Sequence, residues 1–320
     1  MSSKDLRLVL IGPEAVPGDG ATPTVALRAT ASLEAKVDKI VPDEDVGSLA
    51  PTRHYIASLM AEGKLEMKDA YFEGLPYIVS MALGAGTKTG AGDPWTYTYT
   101  LPAGTAPTFK TYRLETTDGV NHITRADDVF AEGLEIKGEA GKGVSISADL
   151  VGGSTTFPAA VGATLTPLAT PTSVRMADMV CKMDLLFANI GTTAMTQLIS
   201  FSWKLENLQH QKQFAGSLYP TGRGNDRWKL TLEIIGEVEN AVLETEKDKL
   251  LTTGLTAIQL KATENANDTL TINGMYALME LSPMDTRDGN NTWKFTYQAQ
   301  KDTAGANYPS IAISTNLSAY

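Results

Sequence analysis

Gly47-Ser48-Leu49-Ala50-Pro51-Thr52 and Gly216-Ser217-Leu218-Tyr219-Pro220-Thr221 read as two versions of one loop. Ahead of the first, Leu33, Ala35 and Val37 alternate with Glu34, Lys36 and Asp38; ahead of the second stand Phe201, Trp203 and Leu205. Period-two alternation marks a β-strand with one face in water. The strand positions lie 168 residues apart (33 to 201) and the loops 169 apart (47 to 216), so a single-residue gap reconciles them. Beyond the loops, Lys64-Leu65-Glu66-Met67 matches Leu230-Thr231-Leu232-Glu233-Ile234, and each is followed by a helical pattern. The first helix is predicted over 71–83, with Asp69 as N-cap, Gly84 as stop, and Pro76 kinking it or delaying its start. The second is predicted over 237–251, with Val238, Ala241, Val242 and Leu250 near one face and Gly254 beyond its end. Each half then closes with a hairpin, one turning at 139–143 and the other at 286–290.

This repeated order predicts a mainly β chain of two related sandwich or barrel domains, each with a flanking helix, made by internal duplication. The expected boundaries are an extended arm over 1–29, a first domain over 30–153, a Gly/Thr/Pro/Ala linker over 154–173 and a second domain over 174–320. A chain carrying two copies of one unit can close a pseudo-sixfold ring with three chains, where a single-copy chain needs six.

The bulk numbers fit a building block. The 320 residues suffice for two cores, and 20% charged with 42% hydrophobic residues describe a globular chain. A net charge of −10 argues against gripping phosphates, while a negative wall would let a duplex pass without sticking. Cys181 is the only cysteine, so no disulfide forms within the chain. The apolar run from Leu6 to Ile11 is too brief for a signal-peptide core, and no stretch approaches a membrane span, so assembly in a cytoplasm is expected.

The search for chemistry returns structural readings. His54, His122 and His210 have no second ligand at metal-binding spacing, and Cys181 sits in an apolar strand. Gly138-Glu139-Ala140-Gly141-Lys142-Gly143 lacks the Ser or Thr and the helix of a phosphate loop, and reads as a hairpin turn. No paired acid and base stands out, so no enzyme, cofactor or metal is expected. Trp95, Tyr97 and Tyr99 could form a sugar-stacking face, as in a carbohydrate-binding or adhesin module, but cross-strand packing is the preferred reading.

The segment from Lys204 to Arg227 reads as a long loop suited to contacting a neighbouring subunit. It carries Lys212, Phe214, Tyr219, Arg223 and Arg227, whereas the corresponding first-half loop carries Asp43, Glu44 and Asp45. One loop is basic and the other acidic, an asymmetry that can fix register around a ring. These eight residues are the candidate inter-subunit contacts, and deletion of 211–223 is expected to leave folded protein that cannot polymerise.

The stretch from Thr30 to Val37, the Gly-Ser-Leu-Ala-Pro-Thr loop, Glu62-Gly63-Lys64-Leu65-Glu66-Met67, Gly133-Leu134-Glu135-Ile136 and Asp149-Leu150-Val151-Gly152-Gly153 resemble the tail tube proteins of long-tailed, non-contractile bacteriophages. The second half, from Ile199 to Asn207, Trp228 to Ile235 and Ala299-Gln300-Lys301-Asp302, is similar to the same family. The resemblance implies a virion tail location and stacked rings of the chain itself around a lumen. Inner strands of adjacent subunits would join into a β-lined channel through which double-stranded DNA passes without specific binding. It also implies a tape-measure protein inside and terminator proteins at the ends. Other ring-forming tubes, from secretion systems or contractile tails, share this pattern.

Overall fold

A computed structural model describes residues 7–43, 53–102, 110–117, 122–195, 197–206, 209–237, 240–287, 290–301 and 307–317. The first half contains β1 (Leu8–Pro13), β2 (Val25–Leu27), β3 (Thr30–Ile40), β4 (Tyr55–Met67), α1 (Leu75–Leu83), β5 (Thr87–Thr89), β6 (Trp95–Thr100), β7 (Tyr112–Thr117), β8 (Ile123–Glu139), β9 (Val144–Gly152) and β10 (Ser154–Thr156). The second contains β11 (Met179–Asp184), β12 (Ala194–Met195), β13 (Leu198–Glu206), β14 (Gln209–Lys212), β15 (Gly222–Asn225), β16 (Lys229–Gly236), α2 (Asn240–Leu250), β17 (Leu255–Thr263), β18 (Thr269–Arg287), β19 (Asn290–Gln300) and β20 (Ser310–Thr315).

Pairing follows one order twice. β1 pairs with β2 and β7, as β11 pairs with β12 and β17. β3–β4–β9–β8 are successive neighbours, as are β13–β16–β19–β18. β7 pairs with the start of β8 and β17 with the start of β18, while β10 and β20 flank those same starts. The β5–β6 hairpin has no counterpart in the second half and pairs with β20. β8 and β18, of 17 and 19 residues, each serve two sets of partners and are bulged on the way. A bulge bends a strand so that it can pass from one layer to the next.

The registers refine the alignment read from the sequence. The β3–β4 hairpin ends at the pair Ile40–Tyr55, and its counterpart ends at Lys212–Gly222 in β14 and β15. Counted from those ends, Leu33 corresponds to Leu205 and Ala31 to Trp203, four residues from the match of Leu33 with Phe201. An even-numbered slip keeps every side chain on its own face, so alternation alone cannot detect it.

α1 starts at Leu75, later than predicted, because Pro76 fits the first turn, where no intrahelical bond needs its missing N–H. Gly84, at φ +81°, ends it as expected. α2 falls within the predicted 237–251. Residues 1–29 were expected to form an extended arm, yet β1 lies in the core with Leu10 and Ile11 fully buried. Of the expected linker, residues 154–156 are β10, and Leu168 and Ala169 accept hydrogen bonds from Arg28 at 2.6 and 3.0 Å.

The halves are joined through the backbone. β13 pairs with the C-terminal part of β8, Trp203 opposite Ile136 and Leu205 opposite Leu134. Trp203, 1% exposed, lies between Ile136 and Leu232, and one buried cluster runs from Ile11 and Ile78 to Leu232 and Phe295.

Candidate channel face and subunit contacts

The neighbours β3–β4–β9–β8–β13–β16–β19–β18 make eight consecutive strands spanning both halves. Their alternation places Leu65, Ile136, Trp203, Leu232 and Tyr297 inward, so intervening residues share the opposite, hydrated face. Among the described residues this face carries ten carboxylates: Glu34, Asp38, Glu62, Glu66, Glu135, Glu139, Asp149, Glu206, Glu233 and Glu280. It carries six lysines: Lys36, Lys64, Lys137, Lys204, Lys229 and Lys294. Lys36–Glu62, Lys294–Glu233 and Lys204–Glu206 pair at 2.6, 2.8 and 2.5 Å, and Lys137–Glu135 at 3.4 Å. The neighbouring carboxylates raise the Lys36 and Lys204 ammonium groups above their ordinary value. Between the pairs lie Ser145, Ser202, Thr231 and Thr296. A face of short hydroxyls and acid-rich ion pairs holds no concentrated positive site for a polyanion. Where the halves meet, it dips into an open groove of about 810 Å³ that includes Lys137, Glu139, Ser202 and Glu233.

The long second-half loop has structure of its own, the β14–β15 hairpin, folded against the first half. Gln209, buried at 2%, donates from Nε2 to the Ala82 carbonyl at 2.8 Å, satisfying an orphan acceptor at the end of α1. Leu218 accepts from the Leu59 N–H of β4 at 2.8 Å. Arg223 turns inward to form an ion pair with Asp128, its guanidinium 4.8 Å from the Phe130 ring centre. Burial pulls the Arg223 guanidinium below its ordinary value, and Glu14 acts against that shift. Asp128 has φ +59°, a left-handed conformation, and its N–H donates to both Glu14 carboxylate oxygens at 3.2 Å.

Of the eight contact candidates, Asp43, Lys212, Phe214, Tyr219 and Arg227 are exposed, with Phe214 at 55% and Tyr219 at 37%. Arg223 is committed within the chain, so deletion of 211–223 would also uncover Phe130. Glu44 and Asp45 lie outside the described residues, as does the 47–52 loop. The sequence reading missed Glu14, Asp128 and Gln209. The only available signal was Asp127-Asp128 interrupting the β8 alternation, the mark of a bulge.

Tyr97 and Tyr99 are 2% exposed and donate to the Leu317 and Pro76 carbonyls at 2.8 and 3.2 Å, so they present no sugar-stacking surface. Cys181 is 1% exposed, and burial pushes its thiol up to about 12. Residues 140–143 turn between β8 and β9, with Gly141 at φ +83°. No group of three or more His, Cys, Asp and Glu among the described residues could hold a metal ion. No helix among them is long and apolar enough to cross a membrane.

The family model described as phage tail tube protein matches residues 5–305. The chain belongs to the phage tail tube protein family. A search of the curated proteins found no match. Among solved structures, it is similar to the SPP1 tail tube, determined by solid-state NMR and cryo-electron microscopy, at 11% identity and a TM-score of 0.32, covering 45% of this chain and 81% of that one. It is also similar to a chain of the native gene transfer agent virion, at 10% identity and a TM-score of 0.29, covering 40% of this chain and 95% of that one. By its family the protein is a structural component of a phage tail, and the hydrated sheet face and the hairpins are where its building role has to be sought.

Proposed function

We propose that this tail tube protein forms rings of three chains with pseudo-sixfold symmetry. Each chain contributes two copies of one unit, and the rings stack around a channel lined by the hydrated face of the eight-stranded run. The observation that carries this reading is the β8–β13 junction, which makes two half-chain sheets into one unbroken surface of a single chemical character. Such a surface suits the passage of double-stranded DNA, since acid-rich ion pairs repel a duplex that basic clusters would hold. The exposed residues Asp43, Lys212, Phe214, Tyr219 and Arg227 then face neighbouring subunits or rings. A tape-measure protein would fill the growing tube and terminators would close its ends, the whole being assembled in the host cytoplasm.

Negative-stain electron microscopy of the purified protein across a concentration series tests the proposal. Hollow tubes or stacked rings with three chains per ring are expected. Rings of six chains would overturn the stoichiometry, and particles that stay monomeric at every concentration count against assembly by the chain alone.

A further inference from the structure

The molecule displays one contact in a closed form and the same contact, separated, in an open form. In the closed form, β13 adds to the free edge of β8 beyond the stretch held by β7. In the open form, β18 is held by β17 only as far as Ala277, leaving that edge uncovered from Leu278 onward among the described residues. β3, which stands where β13 stands, pairs with β4 alone among the described residues. The hairpins repeat the contrast. The β14–β15 hairpin is anchored on the first half at its base, with Gln209 on the end of α1, and every residue of α1 is buried. The matching β3–β4 tip exposes Ile40, Val41, Tyr55 and Ile56 at 42, 54, 52 and 40%. The matching end of α2 leaves Leu250 and Leu251 exposed at 39 and 86%. The β18 edge and the end of α2 are thus the counterparts of parts that the other half of the chain keeps covered.

We infer that β3 of one copy pairs antiparallel with the free edge of β18 in a second copy, and that the β3–β4 hairpin lies on that copy's α2. The register follows from the closed junction. Trp203 faces Ile136 and Lys204 faces Glu135. Ala31 and Ser32 take the places of Trp203 and Lys204 by the hairpin count. Leu281 and Glu280 take those of Ile136 and Glu135, because Ile136 and Leu281 stand opposite Ile146 and Phe295, whose own partners are Met67 and Ile234. Ala31 therefore lies opposite Leu281, and Ser32 opposite Glu280. The contact is head-to-tail, so repetition continues the strand order from chain to chain until a ring closes. An uncovered strand edge and an exposed apolar hairpin gain backbone hydrogen bonds and apolar burial together. The inference rests on the tube reading but adds which edges meet and in what register.

The test introduces Ser32→Cys and Glu280→Cys together. Cys181 is buried, so it gives no background. Directly opposed positions in an antiparallel pair bring Cβ atoms to about 4.5–5.5 Å, within reach of disulfide formation after slight adjustment. Oxidised assemblies should give a non-reducing ladder ending at the number of chains in a ring, and neither single variant should give one. Lys36→Cys with Glu280→Cys, four residues out of register, should give none. Tubes of the Ser32/Glu280 pair that form without cross-links overturn the inference while leaving the tube reading intact. If that variant does not assemble, hydrogen exchange on wild-type tubes decides. The amides of residues 29–33 and 278–281 should slow at least tenfold on assembly, and unchanged exchange would overturn the pairing. Ile40→Asp should leave the melting temperature of the monomer unchanged and raise the concentration needed for assembly at least tenfold. Unaltered assembly would remove the tip from the contact.

Discussion

Asp128, like Gln197, is a non-glycine residue with positive φ, and at φ +59° it is held there by what its backbone and side chain bind. Its N–H reaches the Glu14 carboxylate and its own carboxylate reaches Arg223. Asp128→Ala loses the ion pair and keeps the backbone strain, so a cost of about 2–3 kcal/mol is expected, short of that for a fully buried pair. Asp128→Gly loses the same pair but relieves the strain, and should be about 1 kcal/mol less destabilising in urea denaturation. Asp184 offers a pH-dependent counterpart. Burial works against its charge, but hydrogen bonds from Thr192 and Thr193 outweigh burial and hold the carboxyl below its ordinary 3.8. A depressed folded value means that its stabilising contribution is present above the ordinary value and is lost as pH falls through the folded one. Asp184→Asn should therefore cost about 1–3 kcal/mol at neutral pH. The gap from wild type should close progressively below pH ~4, as thermal melts at several pH values would show.

At the scale of elements, the two helices occupy corresponding places and differ in what covers them. α1 has Leu75, Ile78, Val79 and Leu83 all buried, and its carbonyl end is closed by a side chain from the other half. α2 bears Glu244, Lys247 and Asp248 toward water, while Glu246 and Lys249 turn inward to a buried network with Thr256 and Tyr297. Gln209→Ala leaves the Ala82 carbonyl with no side-chain donor in a dry site, a loss of about 1–3 kcal/mol. Because Gln209 ties β14 to α1, the same variant should also speed hydrogen exchange at the end of α1 more than elsewhere. Exchange that rises evenly across the chain would show that the bond has no local role. That two such helices exist was legible in the sequence, as were both closing hairpins. β1 was hidden because a short apolar run next to Gly and Pro carries no sign of its distant partner β7.

For the whole molecule, the face shared by eight strands matters more than any single residue on it. Replacing Glu34, Glu66 and Asp149 by lysine changes its described charges from ten acidic and six basic to seven acidic and nine basic. All three side chains lie on the hydrated face, so assembly should survive. The resulting tubes should bind linear double-stranded DNA at low salt and release it steeply as salt rises, whereas wild-type tubes should not bind. Sedimentation of tubes with labelled DNA at 50 and 200 mM salt separates the two behaviours. Absence of binding by the lysine variant would mean that the face does not line an accessible channel.

The sequence by itself determined the alternation of β3 and β13, the two helices and the sense of a repeated order from Gly47 and Gly216 onward. These are local properties: period two, period 3.6, capping glycines and residue chemistry are all encoded within a few positions of one another. Tertiary structure alone decided that Leu33 corresponds to Leu205, that Arg223 faces Asp128, and that β13 closes onto β8 while β3 stays open. A four-residue slip leaves every face unchanged, and a strand edge carries the same backbone donors and acceptors whichever neighbour it takes. Only the packed chain, in which β13 is paired on the β8 edge and β3 has its outer edge unpaired among the described residues, distinguishes the edge already used from the edge left for another copy.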